Sequence, residues 1–167
     1  MLTLIRDLYA YQSWADAEIC RLIAATPAAK TDPKVLQLLN HLHAVQQFFL
    51  LSVQGEPPSR EEMMRELSFD ELRASMQKFH RLADSNYLPK LRESRLRDKL
   101  EVPWLKEFQP TCHEVLVQAV MHSQHHRAQA FSLVRSLGGE SIMIDYIVWV
   151  SKGRPEPVWE VAVSTAS

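Results

Sequence analysis

The sequence predicts an all-α fold: a four-helix bundle with a short C-terminal helix. Three observations lead there. Apolar residues recur every three to four positions in four segments, capping or stop signals bound most of those segments, and runs with strand alternation are few. Packing the four apolar stripes against one another is the simplest way to bury them. At 167 residues the chain fits a single domain, 1–167, large enough to bury a core without disulfide or metal support.

In the first helix Leu4, Leu8, Tyr11, Ala15, Ile19 and Leu22 make the stripe, and Asp7, Asp16 and Glu18 fall off it. Thr26, Pro27 and the run AAKTDP end it. Asp32 as N-cap and Pro33 at the first helical position start the second helix, which continues through Leu38, His41, Leu42, Val45, Phe48 and Phe49. Gly55, Pro57 and Pro58 stop it. Ser68 and Glu71 have capping-box spacing and open a third helix through Leu72, Met76, Phe79 and Leu82 toward Tyr87, with Pro89 near its end.

The stretch from Arg92 to Lys99 is densely charged and reads as a solvated connection, with Glu101 to Trp104 as a short extended piece before Pro110. Thr111 and Glu114 repeat the capping-box spacing. The fourth helix follows through Leu116, Val120, Leu133 and Leu137 to the Gly138, Gly139 stop. A short fifth helix is expected from about Ile142 to Val150, and Pro155 and Pro157 keep GRPEP extended.

Composition narrows the function. Nineteen Lys and Arg against twenty Asp and Glu give no strong field for nucleic acid or an anionic membrane, so the expected partner is a small molecule. Cys20 and Cys112 lie far apart, which argues against a disulfide scaffold and fits a reducing, cytoplasmic setting. The N-terminal segment mixes charges into its apolar residues and reads as a helix, not as a signal peptide or membrane span.

Within the fourth helix, His122 and His126 are four residues apart, a spacing at which two imidazoles can chelate one metal ion. They share a face with Val115, Ala119, Gln129 and Leu133, which is expected to point into the bundle. On the second helix His41 shares the side of Leu38, Val45 and Phe48, whereas His43 is rotated by roughly 200° toward Asn40 and Gln47. His41 is therefore the expected third ligand. His125 lies about 60° off His122, a flank from which it supports the site without ligating.

A lone inward histidine is more often hydrogen-bonded in a core than metal-bound. Three buried together are costly unless something satisfies their acceptors, and one shared ion does so. Three neutral nitrogens suit zinc, nickel, copper or ferrous iron and leave a coordination position open. The run is HSQHH and not HExxH, so the glutamate base of zinc proteases is missing from its usual place. The chemistry that needs least help is activation of a bound thiol or water by the metal. A thiol starts with a pKa near 8.5 and is the easier of the two.

The run MHSQHHRAQ followed by LGG resembles the motif of the DinB/YfiT-like superfamily of small metalloenzymes, in which a histidine, three residues and a His-Arg pair precede a glutamine. HLHAVQQFFL resembles that family's second-helix segment, with His41 in the ligand position and Gln46 five residues on. YQSWAD resembles the first-helix signature, and DYIVWVSKGRP the C-terminal helix. The resemblance is weakest from about Glu56 to Gln109. It implies a four-helix bundle, often a homodimer, in which His41, His122 and His126 bind one divalent metal ion, zinc or nickel first, iron or copper next. Ala128 stands where glycine is common, and Gln118 and Gln46 replace residues often histidine and acidic.

Members range from thiol-dependent S-transferases and an isomerase to proteins without assigned activity. Two readings result: a metal-dependent S-transferase or hydrolase acting on a small electrophile with a low-molecular-weight thiol or water, or a noncatalytic metal-binding stress or damage-response protein. Tyr11 and Trp14 are candidates to line a pocket over the metal, although aromatics at helical spacing are more often core. Gln129 can orient water or substrate, or cap an imidazole. Arg127 suits a surface, dimer or helix-packing ion pair, and Cys112, in the first helical turn, is a candidate nucleophile with inert burial as the plainer reading. The apolar pieces around Ile142 to Val150 and Val158 to Val163 are candidate dimer surfaces.

Overall fold

The four predicted helices form in order, and the second, third and fourth start at the signals that the sequence carries. The computed structural model describes residues 1–103, 105 and 107–160. Helix α1 (Leu2–Ala24) buries Ile5, Tyr9, Ile19 and Ile23 on one side. Helix α2 (Pro33–Gln54) is capped by Asp32, whose carboxylate accepts from the backbone N–H groups of Lys34 and Val35 at 2.9 and 3.0 Å. It ends at Gly55, whose φ of 84° is the left-handed conformation that favours glycine. Helix α3 (Phe69–Leu82) starts at the Ser68 and Glu71 capping box, and α4 (Cys112–Ser136) at that of Thr111 and Glu114.

Helix α5 (Tyr146–Ser151) is shorter than expected, because Asp145 takes the extended conformation of an N-cap and the helix begins only after it. A one-turn helix, Arg60–Met64, forms on a capping box of Ser59 and Glu62 that the reading above passed over. The chain after α3 continues through a π-helical turn, Ala83–Tyr87, and a single turn, Leu88–Lys90. The charged run holds a 3-10 turn, Glu93–Arg97, anchored by buried Leu96. No strand forms among the described residues, only an antiparallel bridge between Lys99 and Thr111. Trp104 of the expected extended piece and residues 161–167 of the expected domain, Val161 to Val163 included, lie outside the described residues.

Helix α2 packs most extensively on α4, and α1 on α4. Asn40 exchanges two hydrogen bonds with the backbone of Leu67, and Lys30 pairs with Asp70 at 3.0 Å, so α3 starts beside the start of α2. The two helices point the same way, and residues 55–68 run back along the bundle. Two apolar clusters fill its ends, one around Ile5, Phe49 and Leu116, the other around Ile23, Leu39, Met76 and Val134. Between them lies a buried polar layer of Gln12, Asp16, Gln46, His80, Ser123 and Arg127. No helix among the described residues is long and apolar enough to cross a membrane.

Candidate metal centre

Helix α2 brings His41 against His122 and His126, which stand one turn apart on α4. Ring centroids are separated by 5.0 Å for His41 and His122, 4.7 Å for His41 and His126, and 4.4 Å for His122 and His126. One nitrogen from each ring lies within 4.8 Å of the others, so the three form a group that can hold a metal ion. Two nitrogens of a tetrahedral site with bonds of about 2.0–2.1 Å are about 3.3 Å apart, a contraction that side-chain rotation can supply.

The cluster does not point into the bundle as expected. His41 is exposed, and His122 and His126 are half-buried, so the group opens on the groove between α2 and α4. His43 is the buried histidine of α2, at 4 % exposure. The inversion has a geometric cause. The inward line of α2 is Val35, Leu39, Leu42, Gln46, Phe49 and Val53, which leaves Leu38, His41 and Val45 at its margin. The inward line of α4 is Leu116, Val120, Ser123, Arg127, Ala130 and Val134, and the ligand-bearing face lies beside it.

The donor chemistry suits a cation. Burial, with the neighbouring histidines, pushes the pKa of His122 down to about 4. Burial also lowers that of His126, against a hydrogen bond to Gln129 that acts the other way. Both rings are therefore neutral at pH 7 and present lone pairs. His126 Nδ1 lies 2.9 Å from Gln129 Oε1, which can only accept, so Nδ1 carries the proton and Nε2 the free lone pair. The amide nitrogen of Gln129 donates to His125 Nε2 at 3.1 Å. Gln129 thus ties His125 to His126, and His125 flanks the cluster without belonging to it.

Other expected site residues lie elsewhere. Gln46 is fully buried and donates to Asp16 Oδ2 at 2.7 Å, because five residues from His41 turn it about 140° away. Tyr11 and Trp14 do not roof the histidines. They are core residues of a cluster with Ile144 and Trp149, and the Tyr11 hydroxyl is committed to Gln124 Oε1 and the Ile144 carbonyl at 2.9 and 2.8 Å. His43 Nε2 accepts from Gln47 and lies 2.8 Å from Ser75 Oγ, facing a cleft of about 510 Å³ on the opposite side of α2. Cys112 is buried, and burial pushes its thiol up, which removes it as a nucleophile.

The residue that the reading above missed is Asp16. Each of the other three long helices sends one side chain to its carboxylate. Arg127 of α4 donates from Nε and Nη2 to Oδ1 at 2.9 and 2.6 Å, while Gln46 of α2 and His80 of α3 meet Oδ2 at 2.7 and 2.9 Å. Burial alone pushes the carboxyl pKa up. The Arg127 charge and the His80 and Gln46 hydrogen bonds outweigh it and hold Asp16 at about 2. Of the alternatives for Arg127, the structure shows the helix-packing ion pair. One buried carboxylate thereby fixes the rotation of both helices that carry the histidines.

Compared with protein families, residues 1–154 match the family model described as DinB family. No curated protein matches the chain.

Proposed function

Because the chain belongs to the DinB family, we propose that the cluster of His41, His122 and His126 is a divalent-metal centre that activates a thiol or water against a small electrophile. The observation that carries this reading is the convergence of three imidazoles from two helices on an open groove. Among the described residues, no Asp, Glu or Cys belongs to the group. A nitrogen-only set of three suits zinc or nickel, with iron or copper next, and leaves room for an exogenous ligand.

A metal ion held there supplies Lewis acidity, which lowers the pKa of a coordinated thiol or water. The rest is done by the chain. Exposed His41 leaves a solvent path to the cluster, Gln129 holds the His126 tautomer, and Asp16 keeps α2 and α4 in register. Among the described residues no carboxylate stands in the group to act as base, which favours a thiol, whose intrinsic pKa near 8.5 needs the smaller shift. The reaction class is S-transfer, with hydrolysis as its water counterpart. A homodimer is part of the proposal, supported by Met143, just before α5, and Ile147, within it, each 69 % exposed.

One observation favours a noncatalytic metal-binding stress protein instead: the clefts of about 510 and 320 Å³ beside α2 and α3 are lined by other residues, not by these histidines. Cobalt substitution separates the two readings. Thiol transfer predicts that a low-molecular-weight thiol changes the visible spectrum of the cobalt protein saturably, and that the thiol adds to a small electrophile only when metal is bound. An unchanged spectrum at saturating thiol refutes the thiol step.

A further inference from the structure

A cavity of about 320 Å³ lies between α1, α3 and the C-terminal segment, and none of the three clustered histidines lines it. Aromatic side chains form part of its wall, Tyr9 from α1 and Trp149 and Trp159 from the C-terminal segment, and the charged residues Arg81, Asp84, Arg154 and Glu156 also line it. Ser13 and His80 supply polar atoms to the same lining. The metal chemistry proposed above uses none of these residues.

Irregular backbone and fixed side chains shape the cavity. At one edge α3 widens into the π-helical turn, whose Ala83 and Asp84 line the cavity; such turns are frequent at functional sites. At another edge Arg154 adopts φ 57°, a conformation that costs energy for a residue with a side chain, and it is held there by Asp7 at 2.9 Å. The Trp149 indole and the Trp159 backbone are anchored. Trp149 Nε1 donates to the Pro155 carbonyl, and Arg73 donates to the Trp159 carbonyl, each at 3.1 Å.

His80 gives the cavity its chemical preference. Its Nε2 faces Asp16 Oδ2 at 2.9 Å, and the carboxylate, already balanced in charge by Arg127, can only accept. The Nε2 atom therefore carries a proton, and when the ring carries only that one, Nδ1 is an acceptor without a hydrogen-bond partner among the described residues. The ring stacks on Trp159, with centroids 5.6 Å apart and planes inclined by 28°.

We infer that this cavity binds a small planar aromatic molecule bearing one O–H or N–H donor, with its ring against the tryptophans and its donor on His80 Nδ1. Concave, mostly apolar walls with a few converging polar groups are the usual make-up of a small-molecule site, and the volume is at the lower end of the range for such sites, fitting one or two rings.

Fluorine NMR titration of the full chain with 4-fluorophenol and 4-fluoroanisole tests this, since the two probes share a ring and differ in the donor. In the wild type, 4-fluorophenol is expected to bind saturably and at least about tenfold more tightly than 4-fluoroanisole, a difference of about 1.4 kcal/mol. His80→Phe keeps a ring against Trp159 and removes the acceptor, so the two affinities should converge. Trp159→Leu should weaken both. His126→Ala should change neither, which separates this cavity from the metal centre. The wild-type comparison depends on no variant's folding. Absence of saturable 4-fluorophenol binding, or equal affinity for the two probes, overturns the inference.

Discussion

Asp16→Asn keeps the shape of the side chain and removes its charge, which strands the Arg127 guanidinium at 1 % exposure without a counter-charge. With charge centres about 4 Å apart and an effective dielectric constant near 20, the lost attraction is about 4 kcal/mol. Breaking one side of a buried pair costs about 3–5 kcal/mol, which agrees. For a chain of this size that is a fall in Tm of roughly 6–20 °C. Urea unfolding followed by far-UV circular dichroism should show a lower midpoint at unchanged slope. The double variant Asp16→Leu with Arg127→Met should recover much of the loss, because neither charge is then stranded. A loss under about 1 kcal/mol, or strict additivity of the single variants, would refute the central role of the pair.

The same carboxylate has an acid signature. Its pKa falls from 3.8 unfolded to about 2 folded, so its contribution is complete above pH 4 and is lost as pH falls toward 2. That gap corresponds to about 2 kcal/mol. It is smaller than the Coulomb figure because burial, which raises the carboxyl pKa, offsets part of the Arg127 attraction. Asp16→Asn should lack this acid slope.

Four further outcomes are expected. Gln129→Ala frees the Nδ1 of His126 and should weaken metal binding about 10–100-fold by competition with a chelator; an unchanged affinity would remove Gln129 from the site. Tyr11→Phe should cost about 1–3 kcal/mol in urea unfolding through loss of the one hydroxyl donor that Gln124 Oε1 and the Ile144 carbonyl share, and leave metal content unchanged. Burial lowers the His43 pKa from 6.5 to about 4, so the unfolded chain takes up the proton first and stability falls as pH drops through that interval; His43→Asn should flatten this slope, and an equal slope in both proteins would contradict it. His122 is likewise lowered to about 4, so it remains a ligand below the ordinary histidine range; dialysis should show metal retained at pH 6 and lost by pH 4, and loss already at pH 7 would contradict this.

The helices were legible because their signals are local. The Asp32 and Pro33 start, the Gly55 stop and the Ser68 and Thr111 capping boxes each act within a few residues. The cluster was legible for a similar reason, since His122 and His126 are joined by helical spacing and only His41 had to come from another element. Which side faces inward was not legible, because hydropathy assigns Asp16, Gln46, His80 and Arg127 to the surface, whereas mutual pairing makes their burial affordable. A usable signal existed in α4. Leu116, Val120, Ser123, Arg127, Ala130 and Val134 alternate steps of four and three, a seam that its polar members disguise. On α2 the same difficulty at Gln46 exchanged the roles of His41 and His43 as outer and inner residue, and Tyr11 and Trp14 went to the C-terminal cluster for want of any local mark of which helix they face.

The most direct measurement is elemental analysis of untagged protein purified without a metal column, made on the wild type, His126→Ala and His43→Ala. A three-histidine centre predicts close to one divalent ion per chain in the wild type and in His43→Ala, and little in His126→Ala. A folded wild type without metal after incubation with zinc and nickel, or equal metal loss in both variants, would contradict it.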